Sequence, residues 1–322
     1  MDFIDMPDPR VQAGDVLVRV RACSLNYRDL GILRGGYYRN DKHPVVPISD
    51  MAGVVEAIGP GVVSLKEGDR VTASFVRDWL KGPPTDAVLR TGFGGGIDGF
   101  LRERVAVPEH CLLKIPEPLN FEQASTLPCA AVTAWHALSR VTQGAGHTLL
   151  LLGTGGVSMF GLQLGKALGY RCIITSSSNT KLEKAKALGA DEVINYQTQP
   201  EWPKVVREYT AGLGVDHVLE VGGAGTLASS IACTKIGGTI SLIGVLARVG
   251  DNPALMPMAL DCMNLHGVYV GSRAMFGELL DFVSHNSIQP VIDRVFDFEQ
   301  AKEAYGHLAG QSHVGKVVIR VS

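Results

Sequence analysis

From about residue 121 onward, short apolar runs alternate with helical patterns, and that alternation admits few folds. Largely apolar runs at 148–152, 171–175, 192–195, 217–221 and 239–243 are separated by helical patterns at 159–168, 180–188, 201–210 and 227–234. Strands spaced by helices in this way connect in parallel. Parallel strands are covered on both faces and so read as apolar throughout. The expected fold class is α/β, a doubly wound parallel sheet, with a further helical pattern at 122–138 leading into it. No internal repeat or low-complexity segment interrupts the series.

The first of these strands runs straight into Gly153-Thr154-Gly155-Gly156-Val157-Ser158. Glycines permit a tight turn and bring backbone N–H groups close to a pyrophosphate, and the helix that follows offers its positive end. The third position of the usual GxGxxG pattern is Ser158, still small enough for close packing of helix on strand. Gly153, Thr154, Gly155, Gly156 and Val157 are therefore candidate dinucleotide contacts, joined by Gly222 and Gly244 at the ends of later strands. A dinucleotide site that prefers NADH carries an acidic residue at the end of the second strand. Here that end reads Thr175-Ser176-Ser177-Ser178-Asn179, with Lys181 just after. A carboxylate about 4 Å from a 2′-phosphate would cost on the order of 4 kcal/mol per unit charge at an effective dielectric of 20. Hydroxyls and a lysine welcome it instead. Ser176, Ser177 and Lys181 thus point to NADPH, the competing role for the hydroxyls being to cap the next helix.

The bulk properties exclude other classes. The chain has 322 residues, enough for two domains, and a formal net charge of −2, so no basic field invites nucleic acid. No apolar run approaches the ~18 residues of a membrane span, and the acidic opening at 1–5 lacks the apolar core of a secretory signal. Six cysteines, at 23, 111, 129, 172, 233 and 262, form no CxxC unit. This usage suits a reduced, cytoplasmic protein rather than a disulfide scaffold.

The first third reads as strands and loops. Val16, Val18 and Val20 alternate with Leu17, Arg19 and Arg21, as in a half-buried strand over 16–22. Further strands are expected at 54–58 and 70–74, and a long irregular loop at 77–99. The tail returns to mixed structure: helices at 276–285 and 299–308, and strands at 293–298 and 316–321.

Several motifs resemble the medium-chain dehydrogenases/reductases, in particular the zinc-independent quinone/enone reductase branch. They are Ser24-Leu25-Asn26-Tyr27-Arg28-Asp29-Leu30; Gly59-Pro60-Gly61-Val62 with Gly68-Asp69-Arg70-Val71; Ala131-Val132-Thr133-Ala134-Trp135; the Gly153 turn; Ala187-Leu188-Gly189-Ala190 with Val193-Ile194-Asn195-Tyr196; and His313-Val314-Gly315-Lys316-Val317-Val318. The resemblance implies a GroES-like β-barrel catalytic domain built from 1–120 and 269–322, with a Rossmann NADP-binding domain at 121–268 between them and the active site in the cleft. Such enzymes are often homodimers. Family members begin with a strand or two ahead of the Pro7-Asp8-Pro9 stretch, whereas here Met1 stands almost on it.

Zinc-dependent relatives hold their catalytic metal with a Cys, a His and a later Cys. The matching positions are Asn26, Ser49 and Cys129, one good ligand of three, and no cysteine lies in 77–99 where a structural zinc would sit. No metal is therefore expected, and Cys129 is read as a small buried residue. Without a Lewis acid, alcohol oxidation is hard, whereas hydride delivery to an activated C=C or a quinone needs only a hydrogen-bond donor for the developing charge. By the resemblance, Tyr37 is the candidate donor and Asn26 binds nicotinamide or substrate. Tyr27, Ser49, Thr133 and Trp79 line the pocket. Tyr196, Arg273 and Lys316 meet the cofactor. Asp29 and Asp50 are read as buried structural carboxylates. The competing readings are a metal-free alcohol or aldehyde oxidoreductase and a non-catalytic nucleotide-binding protein.

Overall fold

The computed structural model describes residues 2–36, 44–141, 146–244 and 255–321. In chain order the strands are β1 Asp15–Leu25, β2 Asp50–Ile58, β3 Arg70–Ala73, β4 Arg104–Pro108, β5 Leu112–Lys114, β6 Thr148–Leu152, β7 Arg171–Ser176, β8 Glu192–Asn195, β9 Val215–Glu220, β10 Thr234–Leu242, β11 Asn264–Gly267, β12 Ile292–Asp297 and β13 Lys316–Arg320. The chain divides into two compact units, Met1–Val132 with Val270–Ser322, and Thr133–Tyr269.

The first unit is a seven-stranded sheet in the order β12-β13-β1-β2-β3-β5, with β4 also paired to β1. Strand β1 organises it. Residues 15–19 pair with β4, residues 22–25 pair with β13, and β2 runs beside both stretches. Breaks in register at Leu17/Val18 and Val20/Ala22 let one strand serve both sets of partners. Val16, Val18 and Val20 are all fully buried, as the alternation predicts. They pack with Val55, Val71, Val105, Val107, Val317 and Ile319 into a single core. A barrel is the expectation here, but among the described residues no pairing joins β12 to β5, the two ends of the path.

The unit boundary falls at Val132 rather than at 120. The helix Phe121–Ser125 packs on β1, β2 and β13, which ties it to the first unit. The single helix expected over 122–138 is also three pieces: Phe121–Ser125, a π-helical turn Leu127–Ala131, and Val132–Leu138. Pro128 lacks the N–H that would continue the ladder. The next N–H, of Cys129, is donated to Asp50 Oδ2 at 3.2 Å. Such π-turns recur at functional sites.

In the second unit all six strands are parallel, in the order β11-β10-β9-β6-β7-β8. Counted from β6, this is the 3-2-1-4-5-6 order of dinucleotide-binding sheets, with its switch point between β6 and β9. Leu150, Ile173, Val218 and Ile240 centre one face of its core. The helix Gly156–Ala167 approaches the sheet unusually closely. A Cβ on Gly161 would lie 2.7 Å from Leu151 Cδ2 and 2.8 Å from Leu219 Cδ2. Gly161 thus permits the close packing that the sequence reading attributed to Ser158, whose hydroxyl instead donates to the Leu152 carbonyl at 2.6 Å.

Candidate functional site

The glycine turn follows β6 directly. Gly153 has φ +73°, a conformation that disfavours any side chain. Gly155 is the N-cap of the helix Gly156–Ala167, and a Cβ on either glycine would meet open space. The first-turn N–H groups are therefore unobstructed on that side, an arrangement that fits a pyrophosphate. Thr154 is buried and Val157 half-buried beside them. At the end of β7, Ser176 is buried and Ser177 exposed. Ser178 is the N-cap of the helix Asn179–Ala187 but makes no side-chain capping bond. Lys181 lies in the first turn of that helix, half-buried, and Tyr196 stands exposed just past β8.

One contributor was not anticipated. Glu220, at the end of β9, is fully buried. Its carboxylate accepts the Gly222 N–H at 2.7 Å, the Gly223 N–H at 2.9 Å and the Thr226 hydroxyl at 2.6 Å, and also the Ser230 hydroxyl. It thereby fixes the turn that carries Gly222, where a Cβ would lie 2.2 Å from Thr226 Oγ1. Gly244 is similarly tight, against the Val221 carbonyl. A glutamate that ends an apolar strand ahead of Gly-Gly is the signal that could have identified it.

The first unit contains a buried polar centre. Asn26 leaves β1 in extended conformation and is the N-cap of the helix Tyr27–Leu33. That helix buries Arg28 and Asp29 alongside Leu30 and Ile32, whereas Tyr27, expected in a pocket wall, is 44 % exposed. Asp29 Oδ2 accepts the Asn26 N–H at 2.8 Å, and its Oδ1 lies 4.0 Å from Arg28 Nε. Arg28 donates to the Phe93 carbonyl at 2.8 Å and lies over the Phe75 ring. Burial raises the Asp29 carboxyl to about 6, against the opposing pull of Arg28. Asp50 opens β2 and is wholly buried. Desolvation pushes its pKa up, and Lys316 pulls it back. The Ser49 hydroxyl donates to Asp50 Oδ1 at 2.7 Å.

Lys316, at the start of β13, is 3 % exposed. Its ammonium donates to the Leu25 carbonyl at 2.6 Å and to Asn26 Oδ1, and lies 3.9 Å from Asp50 Oδ2. Because Lys316 can only donate, it fixes the Asn26 amide with its oxygen toward the ammonium. Asn26 Nδ2 is buried near Asp50 but makes no well-aligned hydrogen bond. Just ahead of Ser49, Ile48 is buried with φ +70°, a strained conformation for a β-branched residue. It is held there by loop 77–99: a Cβ on Gly94 would lie 2.7 Å from the Ile48 backbone, and one on Gly99 2.1 Å from its carbonyl.

The remaining candidates are more dispersed. Trp79 is buried, its indole N–H donating to the Gly82 carbonyl at 2.7 Å and its own carbonyl accepting the Arg273 N–H at 2.8 Å. The Arg273 guanidinium turns to the Leu112 carbonyl at 3.1 Å. Thr133 is buried in the helix Val132–Leu138. Tyr37 lies outside the described residues.

Could Asn26, Ser49 and Cys129 hold zinc? The Asn26 oxygen already accepts from Lys316, and the Ser49 hydroxyl is committed to Asp50. Cys129, expected to be a buried residue, is partly exposed, and its backbone N–H is held by Asp50. An ammonium among these groups would also repel a dication. The donor set does not fit the metal.

Two family profiles match the chain: an alcohol dehydrogenase GroES-like domain over residues 12–117, and a zinc-binding dehydrogenase domain over 156–285. A zinc-type alcohol dehydrogenase-like protein of Schizosaccharomyces pombe is 44 % identical over 319 residues, covering 97 % of this chain and 92 % of that one. An NADPH-dependent alkenal/one oxidoreductase of Arabidopsis thaliana is 29 % identical, covering 97 % and 73 %. The crystal structure of an NAD-dependent alcohol dehydrogenase superposes with a TM-score of 0.90 at 31 % identity, covering 99 % and 95 %. Fold and matches together define a nicotinamide-dependent oxidoreductase with a GroES-like domain and a Rossmann-type parallel sheet. The chain belongs to the medium-chain dehydrogenase/reductase superfamily.

Proposed function

We propose that this chain uses NADPH to reduce a quinone or an α,β-unsaturated carbonyl without a metal. The observation that carries the reading is the centre around Asn26, where zinc-dependent relatives would place a ligand. An ammonium, an amide and a hydroxyl fill that centre, with the Asp50 carboxylate beside the amide N–H2. Such a donor stabilises charge developing on an enolate or hydroquinone oxygen, a task that needs no Lewis acid.

When bound, NADPH supplies the hydride. The N–H groups of the Gly153–Val157 turn would hold its pyrophosphate, and Ser176, Ser177 and Lys181 its 2′-phosphate. Tyr37 remains the proposed proton donor, with Thr133, Ser49, Tyr27 and Trp79 as pocket residues. The same reading takes the protein to be a cytoplasmic homodimer acting on a small molecule. Among the described residues no helix is long and apolar enough to cross a membrane.

Several relatives are named alcohol dehydrogenases, which favours a second reading, oxidation or reduction of an alcohol–aldehyde pair. Purified protein assayed with 1,2-naphthoquinone, an enone series and an aldehyde series separates the two. NADPH consumption with quinones or enones, unchanged after chelator treatment, supports the proposal. Turnover of aldehydes alone, or a requirement for zinc, overturns it.

A further inference from the structure

The resemblance to known reductases places Lys316 near the cofactor, but its surroundings give it other work. Its ammonium is buried, and its donors are directed at the Leu25 carbonyl, Asn26 Oδ1 and the Asp50 carboxylate, all within the first unit. Two of its three donors are taken by the Leu25 carbonyl and Asn26 Oδ1, and the Asp50 carboxylate 3.9 Å away is its nearest counter-charge. We propose that Lys316 is a positioning residue for the acceptor end of the reaction: it locks the Asn26 amide so that only its N–H2 group can meet a substrate oxygen. An amide left to rotate presents its oxygen half of the time, which would repel the charge that builds up on the acceptor. Asp50 holds the ammonium in place, and is in turn fixed by the Ser49 hydroxyl and the Cys129 N–H. A fixed side-chain cation thus stands where zinc-dependent relatives carry a metal. The inference rests on the quinone/enone reading for its substrate class, but not for its geometry.

The test is a double-mutant cycle with Lys316→Met and Asn26→Ala, backed by Asp50→Asn/Lys316→Met, which removes both buried charges if K316M alone does not fold. The expected result is a kcat lower by about tenfold or more in K316M and in N26A, with the double variant no worse than N26A. The dissociation constant for NADPH, read by fluorescence titration, should stay within about twofold of wild type. Effects of K316M and N26A that multiply would overturn the proposal, as would an NADPH affinity lost with kcat unchanged. Full activity in D50N/K316M would also overturn it, since charge balance alone would then suffice. A readout independent of turnover is the side-chain N–H2 pair of Asn26 in protein labelled with 15N-asparagine, assigned by its loss in N26A. Slow hydrogen exchange in wild type and fast exchange in D50N/K316M are expected, and equal exchange in both refutes the lock. That measurement stands even if no quinone or enone is turned over, in which case the functional proposal fails and the positioning proposal is judged by itself.

Discussion

Asp29→Asn should make the protein more stable at neutral pH, reversing the usual cost of losing a buried carboxylate. The side chain is 1 % exposed, makes one hydrogen bond, to the Asn26 N–H, and has an Oδ1 with no hydrogen-bond partner. Its carboxyl is raised from 3.8 to about 6, mainly by desolvation. A carboxyl with a raised folded pKa favours the fold fully below 3.8, and the advantage is lost as pH rises through 6. At 1.36 kcal/mol per unit, the shift corresponds to about 3 kcal/mol, half of it already lost near pH 5. Asparagine keeps an acceptor for the Asn26 N–H and never ionises. The stability of D29N relative to wild type should therefore rise by about 2.4 kcal/mol from pH 4 to pH 7.5, or roughly 5 °C in thermal unfolding. Following Trp79 fluorescence in a Trp135→Phe/Trp202→Phe background restricts the signal to the first unit. Parallel stability curves, or a gap that widens toward acid, would show that Asp29 is not held in its neutral form and would refute the argument.

Glu220→Ala should cost at least about 3 kcal/mol, since it orphans four donors around one turn; calorimetric melting checks this, and a drop under 1 kcal/mol would mean that water replaces the carboxylate. Lys181→Glu should weaken NADPH about tenfold or more in calorimetric titration while sparing NADH; equal losses for both would exclude the 2′-phosphate role. Gly161→Val forces a side chain into Leu151 and Leu219 and should destabilise by about 1–3 kcal/mol on urea unfolding, an unchanged midpoint showing that the helix is free to lift from the sheet.

The parallel sheet was legible because each of its inner strands must be apolar on both faces. Strands β6 and β8 fall on the residues expected, and β7 and β9 differ at their ends by no more than a turn's fraying. Strands β4, β5 and β11, of three to five residues, were not read, although the equally short β3 and β8 were. The helix Leu255–Leu260 likewise escaped. The break in the 122–138 helix could have been suspected from Pro128, but the carboxylate that captures the Cys129 N–H comes from β2, far away in sequence. The glycine turn was visible locally because its chemistry lies in consecutive residues. The polar centre was not, because Asn26, Asp50 and Lys316 meet only through the pairing of β1 with β2 and β13. Nothing in the composition around Lys316 distinguishes a buried ammonium from a surface one.

The pairing of β1 with β13 has a consequence for how the chain is made. Cys23 lies opposite Ile319, so 296 further residues must be synthesised before that contact can form. At roughly 5–20 residues per second this takes about 15–60 s. The second unit, contiguous from Thr133 to Tyr269, is complete on the ribosome well before then. The first unit must wait, with the edge of β1 uncovered and Asp50 lacking its counter-charge, until Lys316 has emerged. A chain stalled before residue 316 would carry a second unit complete in sequence and a first unit that lacks β13, a natural substrate for chaperones and proteases.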